Sequence, residues 1–219
     1  MEPQDFVEFL RRERASAILR CADQETAARA MEAAIAGGFR VVEFTLTVPG
    51  VLDLIGDFSR RFREQGVVVG AGTVLTEAEA EAAVTQGARF LVSPVVDTGV
   101  IAAAQRLGVA MMPGTHTPTE MLAAHRAGAP LQKLFPVPGA GPAYVRACLG
   151  PLPFLKIVPT HGVDADNATQ WLDAGAWAVG FVATLFDATD LAAGRFDRIE
   201  ERAGKILARV RAWRAGEAG

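Results

Sequence analysis

The sequence predicts a closed barrel of eight parallel strands alternating with helices, a (β/α)8 TIM barrel with an extra N-terminal helix. Three observations predict it. Short β-branched or apolar runs recur eight times, each ending in a small-residue loop and followed by an Ala-rich stretch with helical spacing. Eight such units fit 219 residues at the lower size limit of these barrels. The rival, an open doubly wound sheet, normally carries its Gly-rich turn after the first strand, where this chain has Arg20-Cys21-Ala22-Asp23.

In order along the chain, residues 4–15 read as the extra helix. The strand runs follow at Ala17–Arg20, Arg40–Leu46, Val67–Val69, Phe90–Val92, Val109–Met112, Gln132–Phe135, Phe154–Val158 and Trp177–Val182. Helices are expected near 25–36, 50–64, 76–86, 98–106, 118–127, 142–149, 165–174 and 196–213. Local signals agree. Thr76 stands before Glu77 and Glu79 as a cap with negative charge at the positive helix end. Thr117-Pro118-Thr119-Glu120 puts proline at a helix start. Gly87 and Gly108 end helices where a left-handed cap belongs. No Pro/Gly/Ser linker interrupts the pattern, so residues 1–219 are expected to form one domain, with 1–15 as the helix and 16–215 as the barrel.

Composition excludes several classes of function. Half of the residues are hydrophobic, which rules out a disordered chain. The uncharged stretch Ala174–Phe186 is interrupted by glycines and shorter than the roughly 20 residues a membrane helix needs. The charged segment 1–15 offers no apolar leader, so a cytoplasmic protein is expected. A net charge of −3 lacks the footprint of a nucleic-acid binder. Cys21 and Cys148 have no ligand-like spacing and read as small buried hydrophobes. Of 22 basic residues only Lys133, Lys156 and Lys205 are lysines, so a lysine inside an apolar run calls for a chemical reason.

In a barrel of this kind the active site lies at the C-terminal strand ends. Those ends are Arg20; Glu43 with Thr45 and Thr47; Thr73; Ser93 with Pro94; Pro113 to His116; Lys133 with Phe135; Thr160 with His161; and Gly180 with Phe181. Alternation along a strand puts Glu43 and Thr45 on one face, and Lys133 and Phe135 on another. An inward lysine is costly as a cation, and a neutral amine is a nucleophile toward carbonyl carbon. An inward glutamate with a raised pKa is suited to passing protons. The pair points to Schiff-base chemistry or, alternatively, to a buried ion pair that only fixes packing. Lys156 lies four residues before Thr160, toward the other end of the barrel, and reads as structural; Lys205 reads as a solvated helix face.

Six stretches carry a family resemblance: Val42-Glu43-Phe44-Thr45-Leu46-Thr47, Gly70-Ala71-Gly72-Thr73-Val74-Leu75, Val92-Ser93-Pro94, Pro113-Gly114, Lys133-Leu134-Phe135-Pro136 and Val158-Pro159-Thr160. In this order the chain resembles the 2-keto-3-deoxy-6-phosphogluconate and 4-hydroxy-2-oxoglutarate aldolases. The resemblance implies a homotrimeric TIM-barrel lyase without metal or cofactor. Such an enzyme cleaves a 2-keto-4-hydroxy acid to pyruvate and an aldehyde. It makes Lys133 the Schiff-base lysine, Glu43 the general acid/base, and Thr73 and Phe135 holders of the pyruvate end, with Pro94, Thr160, Gly162 and Gly180 also in the binding site.

Departures from the family pattern mark two subsites. Many relatives have arginine where this chain has Thr47; others have threonine followed by Val-Pro, as here, and an arginine ending the first strand, which Arg20 matches. The usual Thr-Gly-Gly after the seventh strand is Thr160-His161-Gly162, and the usual Gly-Ser after the eighth is Val182-Ala183. Glycines there let backbone N–H groups close around phosphate, so an altered phosphate subsite is expected. Phe181 is open to either face. Two further readings remain: a metal-assisted lyase using His116, His161 and Glu43, and a non-catalytic trimeric remnant.

Overall fold

The structure, a computed structural model, describes residues 1–217. Helix α1 (Pro3–Glu13) precedes β1 (Ala15–Leu19), α2 (Gln24–Ala36), β2 (Val41–Thr45), α3 (Val51–Arg61), β3 (Val68–Gly72) and α4 (Glu77–Thr85). The chain continues through β4 (Phe90–Ser93), α5 (Thr98–Arg106), β5 (Ala110–Thr115), α6 (Pro118–Arg126), β6 (Gln132–Leu134) and α7 (Pro142–Leu149). It ends with β7 (Ile157–Pro159), α8 (Ala168–Asp173), β8 (Val179–Phe181), α9 (Ala188–Ala192) and α10 (Phe196–Glu217). All ladders are parallel, in the order β7-β6-β5-β4-β3-β2-β1-β8. The Trp177 N–H, entering β8, donates to the Ile157 carbonyl of β7 at 2.8 Å and draws the last two strands together. The eight-stranded barrel with a leading helix is the architecture the sequence predicts.

Alternation divides the apolar residues between two cores. Val42 and Phe44 of β2 face outward and pack with the helices, as do Val69, Leu91, Met111, Leu134 and Phe181. Val41 and its counterparts Val68, Phe90, Val92, Ala110, Met112 and Val158 face inward. The inner core is completed by α1, whose Phe6, Val7 and Leu10 form one helical stripe in the barrel's N-terminal mouth. Phe6 stacks on Phe90 at 4.4 Å between ring centroids. Burying side chains of this size stabilises by roughly 1.5–3 kcal/mol each. The plug is tied in place where Trp177 Nε1 donates to the Val7 carbonyl at 3.0 Å.

Strand lengths differ from expectation for identifiable reasons. β3 runs on to Gly72 and β5 to Thr115, through residues that read as loops. Gly70 belongs in the strand because any Cβ there would lie 2.5 Å from Phe90 Cε1; its bareness makes room for the ring in the inner core. α9 was not expected. It is one short turn capped by Asp187, whose Oδ1 accepts from the Thr189 and Asp190 N–H groups. Buried Asp190 takes Arg202 at 2.5 Å and Arg195 at 3.0 Å, and these guanidinium contacts, Arg202's hydrogen bond first, hold its carboxyl below the usual range. No described helix is long and apolar enough to cross a membrane.

Candidate active site

The C-terminal strand ends enclose a cavity of about 320 Å³. Arg20, Thr73, Pro94, Lys133, Phe135, Thr160 and His161 line it, together with Ile18, Thr45, Pro136 and Val182. Lys133 enters from β6, in register between Gly114 and Val158. Gly114 has a packing reason to be glycine: a Cβ would lie 3.0 Å from Pro94 Cα and closer still to the Pro94 carbonyl. Lys133 is half-buried rather than enclosed in the core, because its end opens into the cavity. Its Nζ stands 5.3 Å from the Phe135 ring centroid, so the two share a face as alternation requires.

Glu43 is the enclosed partner. It is 1% exposed, and neither carboxylate oxygen has a hydrogen-bonding partner among the described residues. Burial pushes its pKa up, against the pull of the Lys133 and Arg20 charges. A carboxyl in this state holds a proton at a pH where an exposed one has lost it. The room it occupies is made by Gly72 on the neighbouring strand: a Cβ there would lie 2.7 Å from Glu43 Cδ and collide with Oε1. The glycines of Gly70-Ala71-Gly72 therefore accommodate a ring and a carboxylate.

Thr73 follows with φ 61°, left-handed backbone that a β-branched residue rarely adopts. That turn brings its Oγ1 to 3.5 Å from Arg20 Nη2, so the guanidinium at the end of β1 and the hydroxyl after β3 meet at one side of the mouth. Thr160 is 2% exposed with an unpartnered hydroxyl. His161 meets Phe135 edge-on at 6.1 Å.

Three expected site residues lie elsewhere. Phe181 faces the helices and packs edge-on against Phe39 at 5.9 Å; its neighbours Gly180 and Val182 take the inward positions, and alternation sends Phe181 out. Thr47 is exposed beyond the cavity and reaches it only through Thr45, hydroxyl to hydroxyl at 2.8 Å. Gly162 turns with φ 74° outside the cavity lining, its carbonyl accepting from Asn167 Nδ2 at 2.8 Å. Gly180 is inward, hemmed by Ile18, Thr160 and Ser16. Thr45, read at a strand end on the same face as Glu43, does line the cavity; Ile18 and Pro136 line it without having been singled out by the sequence.

His116 does not join His161 and Glu43: among the described residues no group of three His, Cys, Asp or Glu side chains is placed to hold a metal ion. His116 is a strap. Its Nδ1 is 2.8 Å from the Pro136 carbonyl, its N–H donates to Glu120 at 2.8 Å, and its carbonyl accepts from the Tyr144 hydroxyl at 2.7 Å. Lys156 sits just before β7 with Nζ 5.3 Å from the Trp177 ring centroid, near the plugged end and away from the cavity.

Comparison with known proteins agrees with this geometry. The KDPG and KHG aldolase family matches residues 7–202. A 2-dehydro-3-deoxy-6-phosphogalactonate aldolase of Escherichia coli is 32% identical over 206 residues, covering 90% of this chain and 93% of the relative. A solved structure described as native KDPGal superposes with a TM-score of 0.83 at 30% identity, covering 91% of this chain and 95% of that one. The KDPG aldolase of Legionella pneumophila, solved with pyruvate captured as a covalent carbinolamine, has a TM-score of 0.76 at 26% identity, covering 86% and 93%.

Proposed function

The chain belongs to the KDPG and KHG aldolase family, and from that premise we propose how its residues divide the work of a Schiff-base aldolase that forms pyruvate. The observation that carries the assignment is the pairing of Lys133, half-buried at the cavity, with Glu43, enclosed, unpartnered and electrostatically coupled to it. Lys133 Nζ attacks the C2 carbonyl of a 2-keto-4-hydroxy acid to give a carbinolamine. Protonated by Glu43 through water, the carbinolamine loses water and becomes an iminium ion. Glu43, now ionised, accepts the C4 hydroxyl proton; the C3–C4 bond breaks, its electron pair passes to the iminium nitrogen, and the aldehyde departs. The resulting enamine takes a proton at C3, and water releases pyruvate and the free lysine. The iminium is the electron sink, so these steps call on no metal or cofactor.

Arg20 is the carboxylate anchor in this reading, its guanidinium offering a two-pronged contact beside Thr73. Thr45, Pro94, Phe135 and Thr160 shape the rest of the pocket. At the far end Val182 and His161 put side chains where backbone donors would have to converge on a phosphate. The preferred substrate is therefore a shorter or unphosphorylated 2-keto-4-hydroxy acid. The curated relative in Escherichia coli is named for a phosphorylated sugar acid, which makes kcat/KM for the phosphorylated and unphosphorylated acids at two pH values the deciding comparison. A pH-independent preference for the phosphorylated compound overturns the altered subsite. Phosphate affinity that is lost in His161→Ala would instead make His161 the phosphate ligand.

The catalytic assignment is tested by borohydride reduction with pyruvate and mass mapping. The adduct is expected on Lys133 and lost in Lys133→Met; labelling at Lys156 would refute it, and so would turnover by the variant. A cytoplasmic homotrimer is the setting we assign to the enzyme, with Leu75 and Val95, 49% and 52% exposed beside the mouth, as the surface a second copy covers. Light scattering at assay concentration checks it.

A further inference from the structure

At the N-terminal face of the barrel, remote from the mouth, a cavity of about 440 Å³ opens between the C-terminal ends of α3 and α4. Arg60 of α3, Arg63 beyond it and Arg89 leading into β4 reach it from three segments, and no Asp or Glu lines it. None of the three guanidinium groups makes an ion pair or hydrogen bond among the described residues, whereas Arg61, in the same stretch, is shared by Glu32 and Asp57. Complementing the α3 C-terminus explains Arg60. It does not explain Arg63 or Arg89, which lie outside any helix.

A second observation concerns the wall. Gly56 sits in the interior of α3, where glycine is the poorest helix former after proline. No positive φ requires it. The atoms a Cβ would crowd are the flexible ends of Gln86, at 3.0 Å, and Arg60, at 3.3 Å. The bare position keeps a gap between α3 and α4 through which the floor, Val67 and Val68, stays 8% and 6% exposed. A local rule broken with no packing gain marks a functional position. The volume lies within the range of small-molecule sites, and guanidinium groups match oxyanions two bonds at a time.

We propose that this cavity is a second binding site, for a small organic molecule with two or more oxyanion groups held by Arg60, Arg63 and Arg89 and its carbon skeleton against Val67, Val68 and Phe9. The test is calorimetric titration at an ionic strength of about 20 mM, where exposed charges are weakly screened. Inorganic pyrophosphate and citrate are the phosphate and carboxylate probes, and acetate is the single-charge control. Saturable binding of at least one polyanion is expected, without binding of acetate, and the probe that binds identifies the head group. Arg63→Ala/Arg89→Ala should weaken binding at least tenfold with turnover unchanged. Arg20→Ala, at the mouth, should leave it unaltered. Gly56→Ala should raise the Tm yet weaken binding about threefold, a combination that a purely structural role for the glycine does not give. The proposal is overturned if neither polyanion saturates, if the double variant or Gly56→Ala keeps full affinity, or if Arg20→Ala abolishes binding.

Discussion

Replacing Gly72 with alanine adds one methyl group, and its consequence can be worked from the structure. The new Cβ would lie 2.7 Å from Glu43 Cδ. Carbon–carbon contact begins at about 3.5 Å, so the carboxyl group has to retreat by roughly 0.8 Å. Misplacing a reacting group by about 1 Å costs on the order of 100-fold in rate. Gly72→Ala should therefore lower kcat by between about tenfold and a hundredfold. Gly70→Ala is the matched control: the nearest atoms its Cβ would meet all belong to the Phe90 ring, at about 2.5 Å, where for Gly72 they all belong to Glu43. Both variants overpack the barrel and should lose about 1–3 kcal/mol of stability, but only Gly72→Ala should lose turnover per folded molecule. Pyruvate release followed by a coupled dehydrogenase assay, with the folded fraction taken from thermal unfolding, gives both numbers. If Gly72→Ala unfolds earlier but turns over within twofold of wild type, the carboxylate's position does not matter and Glu43 is not the proton carrier.

Substitutions at three other positions probe the same site. Glu43→Gln removes the proposed proton carrier and should cost on the order of 100-fold or more in kcat and change the pH–rate profile; an unchanged profile would assign the proton transfer elsewhere. It also has a stability signature. Burial raises the carboxyl's pKa in the folded protein above 4.5, so above pH 4.5 the folded state binds more protons than the unfolded one and wild-type stability falls as pH rises through the raised value. Melting curves of Glu43→Gln and wild type should coincide below pH 4.5 and separate above it, with the variant higher; parallel curves would contradict the buried-charge account. Arg20→Ala should raise KM by about tenfold or more and change kcat less, since a carboxylate is held in ground and transition states alike; an unmoved KM places the carboxylate elsewhere. Thr73→Gly should be about 1 kcal/mol more stable than Thr73→Ala in denaturant titration, because only glycine relieves the left-handed backbone, while both raise KM by taking away the hydroxyl beside Arg20.

The barrel was legible because each strand–helix unit repeats the same periodicities, and the inward placement of Glu43 and Lys133 because they are charged residues within apolar runs. Facing was less so. Phe181 stands one position from both Gly180 and Val182, and an apolar residue between two small or apolar ones gives no local cue to its direction; the packing partner that settles it, Phe39, is 142 residues away in the chain. Lys133 looked enclosed because its neighbours Gln132 and Leu134 are, but strand sequence says nothing about where the inner core stops and the cavity starts. Gly70 and Gly72 read as a turn for a similar reason. Their purpose lies in the bulk of Phe90 and Glu43 on adjacent strands, a relation across the sheet that no window along the chain contains. α9 escaped notice because a helix of five residues has too few turns to show a period.

In the proposed reaction, the plugging of the barrel by α1 gives the Glu43 carboxyl a closed proton economy. Phe6, Val7 and Leu10 pack into the N-terminal mouth, so among the described residues the way to the interior is the cavity at the C-terminal strand ends. A substrate seated there in the proposed reaction would cut Glu43, already 1% exposed, off from bulk water between steps. The proton that Glu43 lifts from the C4 hydroxyl is the one at hand when the enamine carbon needs one, and an enzyme–substrate complex formed in D2O and chased into H2O for a single turnover should deliver part of its deuterium to the methyl group of pyruvate. Isotope retention would thus report on a helix at the far end of the barrel from the reaction, and opening that end by Phe6→Ala should wash the label out.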